Sequence, residues 1–292
     1  MKRFVVISII ALSSSLTSFA QDTLKFDVNK HNNIVLDAVL NEQDSLRLMF
    51  HTGISDVSVI EGSTSGLSWV EADSVESWGG TSEARVSISN QLRLGKYFWE
   101  DVNIWECQRS GPDTDGKIGL SYFSDKHVEF DFNGSQLITH NTLPETISEY
   151  LRCPLINEDG ALFVELSFQI DNNSYQQRFL LHSGYGGCLL LDDAFANEHQ
   201  LSEKLEIIDQ SVLKDSYGNE ITVNKAILPN ISWNEITLEE VPVGFFAGKI
   251  ARQHISVLGA DFMRRFQIIV DADREFVYIN ASKFQNEDYS KI

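Results

Sequence analysis

A chain of 292 residues, 42% hydrophobic and 22% charged, is long enough to bury one or two full cores, which excludes a polypeptide disordered throughout. Its formal net charge of −19, from 42 acidic against 23 basic residues, makes nucleic acid and anionic membranes poor partners and fits a protein kept soluble by surface acid. Three cysteines, Cys107, Cys153 and Cys188, permit at most one disulfide and leave at least one thiol, so this is no disulfide scaffold.

At the N-terminus, Lys2 and Arg3 precede an apolar run at 4–12, and Ser18-Phe19-Ala20 supplies the small residues that a signal peptidase reads. Residues 1–20 are therefore expected to form a signal peptide, with the mature chain starting near Gln21 and exported to a periplasmic or extracellular space. The run is too short for a membrane span and no later stretch rivals it, so no membrane insertion is expected. β-rich runs follow at 33–40, 45–50, 84–88, 128–132, 162–170, 177–181, 221–228 and 266–279, punctuated by Gly, Asn, Asp and Ser. They predict a mostly β protein. Helical patterns are confined to 192–200 and a turn or short helix at 261–265.

A motif occurs twice along these strands. Met49-Phe50-His51-Thr52-Gly53 and Leu180-Leu181-His182-Ser183-Gly184 lie 131 residues apart, from 51 to 182, and each carries an ionisable side chain at the end of an apolar run. Further on, Asp115-Gly116-Lys117-Ile118-Gly119-Leu120 answers to Ser256-Val257-Leu258-Gly259-Ala260, at an offset of 140 from Gly119 to Gly259. Each is followed by a β-rich segment. Two lobes of one plan are expected, 21–142 and 160–292, with a connection at 143–159.

With both repeats in hand, the chain resembles the pepsin-like or retropepsin-like aspartic (aspartyl) proteases, bacterial periplasmic two-lobed type. That family carries apolar-apolar-Asp-Thr/Ser-Gly in each lobe and later apolar-apolar-Gly, matched well by Val257-Leu258-Gly259 and imperfectly by Lys117-Ile118-Gly119. The resemblance implies a mostly β, two-lobed pepsin-like double β-barrel (acid protease fold) with few short helices. It also implies that Thr52, Gly53, Ser183 and Gly184 support the central pair, and that flaps at Trp78-Gly79-Gly80 and Tyr217-Gly218 cover a ligand in the cleft. The departure is that His51 and His182 occupy both places where the family keeps its catalytic Asp.

Two carboxylates that share a proton can activate water and protonate a carbonyl; two imidazoles lack the negative charge that makes the water nucleophilic. The leading expectation is a catalytically degenerate homologue that binds peptide-like or protein ligands in the cleft and needs no cofactor. The alternatives are a zinc site on His51 and His182 whose bound water restores a nucleophile, and a metal-free His-dyad peptidase or hydrolase near neutral pH. A catalytic zinc wants a third protein ligand, for which Asp56 and Cys188 are the nearest candidates in sequence. His31, His127, His140, His199 and His254 show no ligand spacing and read as structural or surface residues. Ligand identity and oligomeric state are not legible.

Overall fold

The computed structural model describes residues 21–77, 80–171, 173–216, 218, 220–246 and 254–290. The leader expected at 1–20 and the flap residues Trp78, Gly79 and Tyr217 lie outside the described residues. The N-terminal half forms β1 (Gln21–Lys25), β2 (Asp27–Val28), β3 (Ile34–Leu40), β4 (Asp44–His51), β5 (Val57–Ile60), β6 (Val70–Ser77), β7 (Gly80–Leu94), β8 (Tyr97–Cys107), β9 (Gly116–Gly119), β10 (His127–Asp131) and β11 (Gln136–His140). The C-terminal half adds β12 (Leu151–Pro154), β13 (Ile156–Glu158), β14 (Ala161–Ile170), β15 (Asn173–His182), β16 (Leu189–Leu190), β17 (Asp209–Lys214), β18 (Glu220–Trp233), β19 (Ile236–Phe246), β20 (Ser256–Gly259), β21 (Phe266–Val270) and β22 (Phe276–Ala281). Among the described residues helices are short: α1 (Asp193–Glu198), α2 (Leu201–Lys204) and α3 (Ala260–Met263), besides three 3₁₀ turns.

The repeat in sequence is a repeat in topology. One eight-stranded sheet runs β2-β3-β4-β9-β5-β8-β7-β6 and the other β13-β14-β15-β20-β16-β19-β18-β17, with β3 also meeting β7 and β14 also meeting β18. Every parallel pair is matched, β4 on β9 by β15 on β20, and β5 on β8 by β16 on β19. A third, six-stranded sheet, β1-β11-β10-β21-β22-β12, takes strands from both halves and joins them where β10 lies antiparallel to β21. The molecule is thus the expected mostly β, two-lobed plan. The segment at 143–159 carries a 3₁₀ turn, β12 and β13, so it contributes to sheets rather than hanging between them.

Alternation explains the lobes' outer strands: β14 buries Leu162, Val164, Leu166, Phe168 and Ile170 on one face and turns Glu165, Ser167 and Gln169 to water. The strands that end at the histidines behave differently. β4 lies between β3 and β9, and its last four residues, Leu48 to His51, are all buried. Below it, Phe50 packs on Phe123 and Phe130, with ring centroids 6.0 and 5.6 Å apart, so the shared sheet props the strand that presents His51. In the C-terminal lobe Trp233, Phe262 and Phe266 form the corresponding aromatic cluster.

Several expectations need correction in detail. The run at 266–279 is a hairpin, because the Asp271 carboxylate accepts from the amides of Glu275 (2.9 Å) and Phe276 (3.1 Å) and turns the chain. The pattern at 192–200 splits: Asp192 caps α1 by accepting from the Phe195 amide at 2.8 Å, and Gln200 at φ 53° ends it before α2. Two long strands, β8 and β19, escaped the sequence reading. Left-handed Asp101 (φ 55°) and Glu240 (φ 52°) break their alternation, as a bulge does. All three cysteines are free and buried, one in each sheet's neighbourhood rather than near one another.

Candidate functional site

β4 and β15 end in register with β9 and β20, so that His51 lies beside Gly119 and His182 beside Gly259. Those glycines are required by the turn that follows each histidine: a Cβ at Gly119 would stand 2.3 Å from the Ile54 carbonyl oxygen, and one at Gly259 2.2 Å from that of Gly187. The two turns meet at the centre of the molecule. There the imidazoles of His51 and His182 lie edge to face, their centroids 4.4 Å apart at 67°. The structure therefore brings together the two residues the motif singled out, from opposite lobes.

Their hydroxyl neighbours bind the lobes reciprocally. Thr52 Oγ1 donates to the Leu181 carbonyl at 2.5 Å and accepts from the Ser183 amide at 3.0 Å. Ser183 Oγ donates to the Phe50 carbonyl at 2.6 Å and accepts from the Thr52 amide at 3.0 Å. Asn33 adds a further cross-lobe bond, from Nδ2 to the Ser183 carbonyl at 2.8 Å. All these groups are buried, so each bond also spares a polar group from being stranded.

The rings are not equivalent. The Gly53 amide donates to His51 Nδ1 at 3.1 Å, which assigns the proton of neutral His51 to Nε2. His182 Nδ1 is buried and has no partner. His182 is half-buried as a residue, whereas His51 is only 6% exposed. Gly184 has no room for a side chain, since a Cβ there would come within 2.3 Å of His51 Cδ2 and Nε2; Gly53 is looser, at 3.1 Å from His182 Cδ2.

Burial holds both imidazoles neutral at pH 7. It pushes His51 well below the ordinary histidine range, aided by His182 and by Lys117, and it pushes His182 down to about 4, again with Lys117 contributing. No carboxylate opposes these effects at either ring. Lys117 is the site residue that the sequence reading missed. It is buried on β9, beside Met49 in register, and its Nζ donates to Ser216 Oγ in the turn between β17 and β18. Burial lowers its ammonium, while Cys107 and Asp215 pull the other way. The signal available was the imperfect apolar-apolar-Gly match: Lys117 stands where the second lobe has Val257.

The same turn crosses to the N-terminal lobe through its backbone, the Ser216 carbonyl accepting from the amides of Gln108 and Arg109, both at 3.0 Å. Gly218 lies in that turn at φ +86°, and Gly80 opens β7 opposite Ser77 at the tip of the other predicted flap. Neither candidate third metal ligand joins the pair. Asp56 accepts from Ser55 Oγ at 3.0 Å, and the Cys188 thiol is buried against Asp261 and Arg265, where desolvation holds it strongly protonated. Among the described residues no group of three or more His, Cys, Asp and Glu side chains is assembled for a metal ion. Three of the other histidines serve the framework: His140 Nε2 lies 2.7 Å from Glu129, His127 Nδ1 accepts from the Ala272 amide at 3.1 Å, and His199 packs on Tyr175 and Phe195.

No protein-family model matches the sequence, and no curated protein matches it either. In three dimensions the chain is similar to the aspartic proteinase from Irpex lacteus, with a TM-score of 0.60 and 13% sequence identity over 92% of this chain and 99% of that one. The fold is thus the two-lobed, pepsin-like fold of an aspartic proteinase.

Proposed function

We propose that this protein is an exported homologue of the aspartic proteinases that has lost their acid–base pair and uses the cleft between its lobes to hold peptide-like ligands without cutting them. The observation that carries this reading is the His51–His182 pair itself, two neutral imidazoles 4.4 Å apart with no carboxylate acting on either. Hydrolysis on this fold needs a base that takes a proton from water while a second group protonates the carbonyl. His51 Nδ1 is engaged by the Gly53 amide, which leaves that ring a donor toward the cleft, and Lys117 adds positive character where a nucleophilic water needs negative. The cross-lobe bonds of Thr52 and Ser183 hold the cleft together whether or not it is catalytic. Export is supported by the basic, then apolar, then small-residue order of residues 1–20, and N-terminal sequencing of the secreted protein should begin near Gln21.

The test is digestion of a peptide library by the mature protein from acid to neutral pH, with and without added zinc, beside a His51→Ala, His182→Ala double variant. No cleavage is expected under any condition. Cleavage that the double variant loses would overturn the reading in favour of a His-dependent hydrolase, and its zinc dependence would identify the mechanism.

A further inference from the structure

Three features of the His pair remain unused by a generic peptide cleft: the fixed tautomer of His51, the orphaned Nδ1 of His182, and the buried Lys117, whose charge acts on both rings. With Nδ1 of His51 occupied as an acceptor from Gly53, its Nε2 carries the proton. His182 Nδ1 is buried and makes no hydrogen bond, and an orphaned buried N–H is rarer and costlier than an orphaned lone pair, which places the proton of neutral His182 on Nε2 as well. Among the described residues nothing hydrogen-bonds to either Nε2, although the hydroxyls and amides of Thr52 and Ser183 beside them are paired across the lobes. Two adjacent N–H donors are thus left for a ligand. Lys117 is the charged side chain whose field reaches both rings, and Asp215, the carboxylate nearest to it in effect, acts on Lys117 rather than on either imidazole.

From this arrangement we propose that the centre of the cleft is a carboxylate site: His51 and His182 donate from Nε2 to the two oxygens of a ligand carboxylate, a peptide C-terminus or an acidic side chain, beside the Lys117 ammonium. The polarity is the reverse of a two-carboxylate centre. Two N–H donors bind an anionic acceptor more strongly than a neutral carbonyl, and burial amplifies the difference. The inference rests on the proposed non-cleaving peptide cleft but concerns the chemistry of its centre, so the two fail separately.

The experiment uses the mature protein with ¹⁵N-labelled histidine at pH 7, titrated with acetate and, separately, with its neutral isostere acetamide. Long-range ¹H–¹⁵N spectra should show Nε2–H tautomers at both His51 and His182, with acetate shifting both Nε2 signals and acetamide leaving them in place. Lys117→Met should weaken acetate binding about tenfold while the tautomer pattern, which reports an intact pair, stays as in the wild type. Nδ1–H tautomers, or equal responses to acetate and acetamide, would overturn the carboxylate site. A matched pair of acetylated tripeptides, one with a free C-terminal carboxylate and one amidated, then addresses the wider reading. Preferential capture of the acid form supports both proposals. Equal capture of the two keeps the peptide cleft and removes the carboxylate site, whereas acetate binding with no capture of either tripeptide keeps the site and removes the peptide cleft.

Discussion

Replacing two carboxylates with two imidazoles changes which atoms at the centre of this fold can donate and which can accept. Gly53 donates to His51 Nδ1, so the amide that would neutralise a carboxylate oxygen here selects a tautomer. The rings also demand space. Gly184 lies against His51 so closely that a Cβ there would stand 2.3 Å from the ring, so Gly184→Ala should push the imidazole off its position and cost about 1–3 kcal/mol in urea denaturation, as overpacking does in a closed core. Gly53→Ala, with 3.1 Å at its nearest neighbour, is the milder control, and equal losses in the two would refute the ranking. The depressed histidines set a pH dependence. In the unfolded chain they titrate near 6.5, whereas His182 in the fold does so only at about 4 and His51 is depressed too. Between those values the unfolded state binds more protons, so stability is complete above about pH 6.5 and is lost as pH falls toward about 4, by on the order of 3 kcal/mol for His182. A His51→Gln, His182→Gln double variant should show a flatter profile in that window; a parallel profile would mean that other groups dominate acid sensitivity.

The hairpin of β17 and β18 is an element tied across to the N-terminal lobe. Its turn is held to the opposite lobe by Lys117 on Ser216 Oγ and by the Gln108 and Arg109 amides on the Ser216 carbonyl. Lys117→Met removes the side-chain tie and should speed hydrogen exchange at the Gln108 and Arg109 amides by about tenfold, equivalent to roughly 1.4 kcal/mol of local opening. Unchanged protection at both amides would show that the backbone bonds alone hold the hairpin. At this same scale the sequence was partly legible. β3, β4, β14 and β15 follow from alternation and from apolar runs ending at the motif, because each buries at least one face in its own sheet. β8 and β19 were opaque, since residues at positive φ interrupt their pattern and the pairing that rescues them, with β7 and β18, depends on partners a dozen or more residues away in places.

For the molecule as a whole, the six-stranded sheet does what neither lobe does alone: β10 against β21 fuses the two halves, and Phe130 on β10 supports Phe50 one residue before His51. The duplicated motif, the mostly β class, the two-lobed plan and the identity of the central pair were all readable in the chain, because a repeated pattern of apolar run, histidine, hydroxyl and glycine is a local property of sequence. What only tertiary structure decided was everything that depends on the lobes meeting. The reciprocal bonds of Thr52 and Ser183, the fit of His51 over Gly184, and the entry of Lys117 into the field of both imidazoles arise between residues far apart in the chain, some about 130 positions distant. Side-chain direction on a strand follows from a two-residue period, but which side chains face one another across two lobes follows from sheet order and turn geometry, and these are set by packing over the whole fold.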